Sequence, residues 1–315
     1  MPTHILLTRN APDADLDRVR SVSPDLVVEK APTMEQALSL AADAEVILAG
    51  RWSDELWQAA PNLRWVQSGG AGVERFLTPE FIASPIILTN AAGVYAVPIA
   101  DHVIAFMLAF SRGFPHYLRN QAERKWEWDG GDELDGKTLG IIGLGGIGSE
   151  VAKRAKAFGM RVTATRRRPD RASPFADEVR GSDALPWLLA ESDYIALCAA
   201  LTPRTRHLIG ERELRLMKPT AYLINIGRGG LIDEHALVLA LQSGRIAGAG
   251  LDVFANEPLP ADSPLWDLSN VIITPHSSGS SPRSHDRLME LFCGNVARYL
   301  AGDELLNVVD KGEGY

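Results

Sequence analysis

The segment Gly143-Leu144-Gly145-Gly146-Ile147-Gly148 constrains this chain more than any other. It is a GxGxxG set between the apolar, strand-like run 139–142 and a helical pattern that continues to about Phe158. A second apolar run, 162–165, completes a βαβ unit of about 30 residues. In such a unit the glycines allow a tight turn and let backbone N–H groups approach a pyrophosphate, whose charge is favoured at a helix N-terminus. A chain with 28 glycines produces chance matches, so the flanking strand and helix carry this reading more than the spacing does. The competing reading is an ordinary glycine-rich strand–helix turn.

The rest of the chain repeats the same alternation. Runs at 5–7, 27–29, 46–48, 65–66 and 86–88 read as strands, with helical patterns such as 34–42 and 55–60 between them. A long helical pattern follows Pro98 and runs to about Leu118, with Pro115 expected to kink it. After a turn-like Asp129-Gly130-Gly131, six further strands are expected at 139–142, 162–165, 194–199, 222–226, 248–254 and 271–274. A helix over 283–300 closes the series. At about 150 residues per domain, 315 residues suggest two domains. The pattern predicts an α/β chain with two doubly wound parallel-sheet domains, the second of Rossmann type.

Composition narrows the function. Lys and Arg total 32 against 40 Asp and Glu, a net charge of −8, which is the wrong sign for a dedicated nucleic-acid binder. No apolar run approaches the roughly 18 residues of a membrane span. The N-terminus enters a strand-like run without a basic region or cleavage pattern, so a cytoplasmic location is expected. Two cysteines, Cys198 and Cys293, make neither a disulfide framework nor a four-thiolate zinc site, and no metal site is expected. Cys198, inside an apolar strand, reads as an inert thiol.

Four strand ends carry residues with chemical potential. Where an NAD site presents Asp or Glu to the ribose, this chain has Thr165-Arg166-Arg167-Arg168. A guanidinium there suits a 2′-phosphate, so NADP(H) is the expected cofactor, with NAD(H) also admitted. The alternative is a solvated charge run at a strand end. The remaining three ends lead into Gly227-Arg228, Asn256-Glu257 and Pro275-His276. In open parallel sheets the ligand crevice lies beyond the carboxyl ends of the strands, where these residues would converge. A cation, a carboxylate and an imidazole suit hydroxyl/carbonyl interconversion. Arg228 would anchor a carboxylate, His276 would move the hydroxyl proton, and Glu257 would orient His276.

The stretch Leu223-Ile224-Asn225-Ile226-Gly227-Arg228-Gly229-Gly230-Leu231-Ile232-Asp233-Glu234 resembles the D-isomer-specific 2-hydroxyacid dehydrogenases. So do Gly250-Leu251-Asp252-Val253-Phe254, Glu257-Pro258-Leu259, Thr274-Pro275-His276, Leu201-Thr202-Pro203 and Ala91-Ala92-Gly93-Val94-Tyr95. The resemblance covers nearly the whole chain, which looks like an NADP-leaning, glyoxylate/hydroxypyruvate reductase-like member of that family. It implies reduction of a 2-keto acid to a D-2-hydroxy acid, with Arg228 on the substrate carboxylate and His276, paired with Glu257, as proton donor. It further implies that Gly146 and Ile147 donate to the pyrophosphate and that Asp252 orients the nicotinamide carboxamide; Gly143, Gly145, Gly148, Thr165, Arg166, Arg167, Ile226 and Gly227 complete the expected cofactor contacts. Backbone N–H groups of Ala71 and Gly72 would form a second carboxylate clamp in the loop 69–73. The implied arrangement has a cleft between two domains: a smaller, flavodoxin-like catalytic domain for the substrate, discontinuous over residues 1–99 and 283–315, and a Rossmann-type domain over 100–282 for the dinucleotide. A homodimer is implied by the resemblance alone.

Asp101 stands where many relatives carry Glu. Arg51 and Trp52 could line the substrate pocket, and Trp126 and Trp128 could wall a pocket or join a dimer contact. A nucleotide-sensing interaction protein of the corepressor type and a phosphoglycerate dehydrogenase without a regulatory domain are the alternatives. The keto acid itself stays open among glyoxylate, hydroxypyruvate, pyruvate and larger acids, which share one carboxylate–carbonyl pair.

Overall fold

The computed structural model describes residues 2–128, 130–170 and 173–314. The chain divides into two units, Met1–Tyr95 with Ser281–Tyr315, and Ala96–Ser280. The sequence boundaries at 99/100 and 282/283 fall a few residues later than these divisions.

The first unit runs β1 (Thr3–Leu7), α1 (Asp13–Arg20), β2 (Leu26–Lys30), α2 (Met34–Leu40), β3 (Val46–Ala49), α3 (Asp54–Gln58), β4 (Trp65–Ser68), α4 (Pro79–Ala83) and β5 (Ile87–Thr89). Its five strands lie parallel in the order β2-β1-β3-β4-β5. β3 and β4 are buried at every position, as a parallel strand covered on both faces must be. One face packs Ile47, Leu56, Phe76 and Phe81, and the other Ile5, Leu7, Leu48 and Trp65. The helices start where the sequence offers caps. Thr33 and Gln36 form a reciprocal box at α2, and the Thr78 hydroxyl accepts the Phe81 N–H at α4.

The second unit runs α5 (Ala96–Ser111), α6 (Phe114–Ala122), β6 (Thr138–Ile142), α7 (Gly146–Ala157), β7 (Arg161–Thr165), β8 (Glu178–Arg180), α8 (Leu185–Glu191), β9 (Tyr194–Leu197), α9 (Glu211–Leu216), β10 (Tyr222–Asn225), α10 (Glu234–Gln242), β11 (Gly248–Leu251) and β12 (Val271–Ile273). The chain then returns to the first unit as α11 (Pro282–Ala301). The parallel order β8-β7-β6-β9-β10-β11-β12 grows outward in both directions from β6, which puts a topological switch point between β6 and β9.

Two expectations are corrected here. The large sheet has seven strands rather than six, because Glu178-Val179-Arg180 pairs with β7 at the edge. A half-exposed strand flanked by charges offers no apolar run to read. The long helix is also two helices, diverging by 69°. The break lies at Gly113, whose φ of 68° ends one helix in the left-handed region. Pro115 then occupies the first turn of α6, where its missing N–H costs nothing. In the expected turn 129–131, Asp129 lies outside the described residues.

Asn295, fully buried on α11, fastens the returning segment to the first sheet. Its amide donates to Gln67 Oε1 at 3.2 Å and to the Leu306 carbonyl at 3.0 Å, and its Oδ1 accepts the Leu306 N–H at 2.8 Å. Asn295→Ala removes all three of these bonds, and a typical intramolecular hydrogen bond contributes about 0.5–1.5 kcal/mol. The expected result is a urea midpoint lowered by roughly 2–4 kcal/mol of stability, with unchanged steepness. A midpoint equal to the parent's would show that the fastening contributes nothing.

Candidate active site

The turn from β6 into α7 is tight and open on one side. Gly143 holds a φ of 96° that lets β6 turn sharply, and its N–H donates to the Thr165 carbonyl at 2.9 Å. A Cβ on Gly148 would fall 2.5 Å from the Gly143 carbonyl oxygen, so the third glycine permits the close approach of helix and strand. A Cβ on Gly145 would meet nothing within 4 Å, which leaves that face of the turn open. Ser149 makes the first bond back to Gly145, so the N–H groups of Gly146, Ile147 and Gly148 are those a helix start leaves over. Open space, leftover donors and the positive end of the helix fit a pyrophosphate.

Arg166 extends from the end of β7, its N–H bonded to the Arg180 carbonyl at 3.0 Å. Its side-chain Nε and Nη2 are buried and, among the described residues, have no hydrogen-bond partner. A buried guanidinium with unused donors fits a phosphate. Thr165 is buried and contributes its carbonyl to the Gly143 turn, whereas Arg167 and Arg168 are exposed.

Asn225, at the end of β10, shapes the segment that presents Arg228. Its amide donates to the Arg228 carbonyl at 3.0 Å, and its Oδ1 accepts the Gly227 N–H at 3.1 Å. Ile226 is buried beneath this turn. Arg228 is half-buried, and its Nη1 donates to the Gly227 carbonyl at 2.7 Å.

Glu257 and His276 follow β11 and β12. Glu257 Oε1 accepts the Phe254 N–H at 3.0 Å, and Oε2 lies 2.7 Å from His276 Nδ1. A carboxylate accepting at Nδ1 leaves Nε2 as the nitrogen for proton transfer. His276 has a φ of 50°, unusual for a side chain with a Cβ, and Asp252 holds it there. The Asp252 carbonyl accepts the His276 N–H at 2.8 Å. Its carboxylate, with no exposure to solvent, accepts from Thr274 Oγ1 at 2.6 Å, Ser277 N at 2.9 Å and Ser278 N at 3.0 Å. The nicotinamide role implied by resemblance would ask this carboxylate for one bond more.

The structure thus gathers Arg228, Asp252, Glu257 and His276 after three consecutive strands of one sheet, with the glycine turn 143–148 after β6, two strands along from β10. Sequence reading missed Asn225 as a support and Thr274 as a ligand of Asp252, because neither role follows from spacing. Asp101 Oδ1 accepts from Arg154 Nε at 2.6 Å, so that carboxylate ties α5 to α7. Burial pushes the Cys198 thiol up to about 12, which removes it as a nucleophile at neutral pH.

In the first unit the loop 69–73 is held from behind. Tyr95 OH donates to the Gly69 carbonyl at 2.5 Å, and Asn90 Nδ2 to the Ala71 carbonyl at 3.1 Å. Among the described residues no acceptor takes the N–H of Ala71 or Gly72. Trp52 packs into the core, its ring centroid 4.9 Å from that of Phe76 and 5.3 Å from that of Phe81, which favours the packing role over a pocket wall. Trp126 and Trp128 are exposed.

Residues 104–278 match the family model for the D-isomer specific 2-hydroxyacid dehydrogenase, NAD binding domain. The chain is 36% identical to a glyoxylate reductase of Korarchaeum cryptofilum, covering 99% of this chain and 97% of that protein. An NADPH-dependent glyoxylate/hydroxypyruvate reductase from Sinorhizobium meliloti, solved with NADP and sulfate, superposes with a TM-score of 0.88 at 26% identity, covering 99% of this chain and 100% of that one. A D-lactate dehydrogenase from Aquifex aeolicus, solved with NAD and lactic acid, gives 0.82 at 28% identity, covering 97% and 99%. With a nicotinamide cofactor, a chain of this kind reduces a 2-keto acid to a 2-hydroxy acid. The chain belongs to the family of D-isomer-specific 2-hydroxyacid dehydrogenases.

Proposed function

We propose that this dehydrogenase uses NADPH in preference to NADH to reduce small 2-keto acids of the glyoxylate and hydroxypyruvate class to D-2-hydroxy acids. The contact of 2.7 Å between His276 and Glu257 carries the reaction reading, and the buried Arg166 Nε and Nη2, without a partner among the described residues, support the cofactor reading. The names of the glyoxylate reductases that the chain resembles support the substrate class.

The nicotinamide, when bound, supplies the hydride. Arg228 binds the substrate carboxylate and so turns the carbonyl toward the imidazole. Protonated His276 gives the Nε2 proton to the carbonyl oxygen as the alcohol forms, and takes it back in the reverse direction. Glu257 keeps the proton on Nδ1 in both states, so transfer occurs at Nε2 alone. Its negative charge also offsets that of the imidazolium. In the first unit the Ala71 and Gly72 amides are proposed as carboxylate donors. The amides of Gly146 and Ile147 would hold the pyrophosphate, and Arg166, helped by Arg167, the 2′-phosphate.

Three measurements at 340 nm test this reading. His276→Ala is expected to lower kcat by roughly 10²–10⁴, the range for a positioned general acid, with little change in cofactor affinity. A parental rate would remove His276 from the chemistry. Arg228→Lys keeps the charge but loses the planar fork, so KM for the keto acid should rise roughly ten- to a hundredfold while kcat falls. An effect on stability alone would make Arg228 structural. Two charge-assisted bonds at Arg166 and Arg167 give a preference in kcat/KM for NADPH on the order of a hundredfold, and Arg166→Asp should collapse it. Equal parental values, or a ratio unmoved by the substitution, would return the arginines to a solvated strand end.

A further inference from the structure

His102 stands on α5, outside every residue given a chemical role above. Its Nε2 lies 3.0 Å from Thr274 Oγ1, and its ring meets Phe106 edge-on at 4.6 Å. The direction of that hydrogen bond follows from its neighbour. Thr274 gives its one hydroxyl proton to Asp252 Oδ1, so the same oxygen can only accept from His102, which must carry its proton on Nε2. Asp252 in turn takes the N–H groups of Ser277 and Ser278, and its carbonyl takes that of His276. One directed chain therefore runs from imidazole N–H to hydroxyl to carboxylate to the turn that carries the proton donor.

We infer that His102 is a positioning residue for proton transfer by His276, holding the left-handed turn at His276 in place through Thr274 and Asp252. The inference rests on the reaction reading above for its kinetic consequence, though not for its structural one. Burial holds the His102 imidazole below the usual histidine range against the opposing pull of Asp252. A ring that is neutral at neutral pH serves this chain fully, because the Nε2 proton alone is used. Without it the Thr274 hydroxyl is free to rotate, and Asp252 loses the orientation of one of its donors.

Packing and hydrogen bonding make opposite predictions for substitutions at this position. Leucine fills the space beside Phe106 and donates nothing. Glutamine places an N–H close to the position of Nε2, and asparagine places one short of it. The experiment compares His102→Leu, His102→Gln and His102→Asn with the parent in steady-state keto-acid reduction. In parallel, hydrogen exchange is followed in the peptide spanning 274–280 of the ligand-free full chain. The Leu and Asn variants are expected to lose about tenfold in kcat with KM for the keto acid within about twofold, while Gln stays near the parent. Exchange in that peptide should accelerate in Leu and Asn but not in Gln. Thr274→Val should reproduce the Leu phenotype, and the double variant should be no worse than either single one.

A Leu variant with parental kcat and parental exchange, or a Gln variant no better than Leu, would overturn the inference. Should the Leu variant fail to fold, the contrast between Gln and Asn decides by the same criteria. Should the parent reduce no keto acid, the proposed function falls, and the exchange contrast alone upholds or overturns the positioning role.

Discussion

The Asp252 carboxylate has no exposure to solvent, and a buried carboxylate of this kind persists only where donors are fixed around it. They come from one short segment: the hydroxyl of Thr274 and the amides of Ser277 and Ser278. Satisfying the carboxylate therefore wraps residues 274–278 around the end of β11. His276 falls in the middle of that wrap, in a left-handed conformation that its own preferences disfavour. Glu257 reaches the same imidazole from the neighbouring strand end, fixed by the Phe254 N–H. Both members of the proposed acid–base pair are thus held by backbone donors, a firmer support than side-chain packing alone gives.

The two cationic positions are built differently. Arg228 sits in a turn shaped by Asn225, whose side chain replaces two backbone partners that the end of β10 would otherwise lack. Arg166 has its backbone tied down through the Arg180 carbonyl of the edge strand, while its side-chain Nε and Nη2 are buried and, among the described residues, have no hydrogen-bond partner. An anchored turn suits a carboxylate that must be aimed. A guanidinium with donors to spare suits a dianionic phosphate that needs holding more than aiming. Between them lies the start of α7, where geometry is set by glycine sterics and charge by the helix itself.

The fold was legible where hydrophobic period and turn chemistry agree. Runs such as Val46-Ile47-Leu48 and Leu139-Gly140-Ile141-Ile142 are buried on both faces and cannot be mistaken for solvated segments. The strand 178–180 was not legible, because a charged edge strand gains its order from pairing with β7 rather than from burial. Nor was the site of the helix break. Proline draws attention in a sequence, but Gly113 supplied the left-handed residue and Pro115 merely suited the next helix.

By itself the sequence determined two α/β units, a tight glycine turn at Gly143–Gly148 between strand and helix, and the residues Arg228, Glu257 and His276 at successive strand ends. These follow from local rules: alternation, glycine spacing and the crevice beyond a parallel sheet. Tertiary structure alone decided how those residues are held. That Asp252 lies beneath the His276 turn, that Thr274 links it to His102, and that Asn225 braces Arg228 all depend on hydrogen bonds between residues far apart in the chain or on the direction of a side chain. The Thr274 hydroxyl lies 172 residues from its partner His102. No periodicity encodes such a pairing, because it arises only when α5 and the end of β12 are brought together in one packed unit.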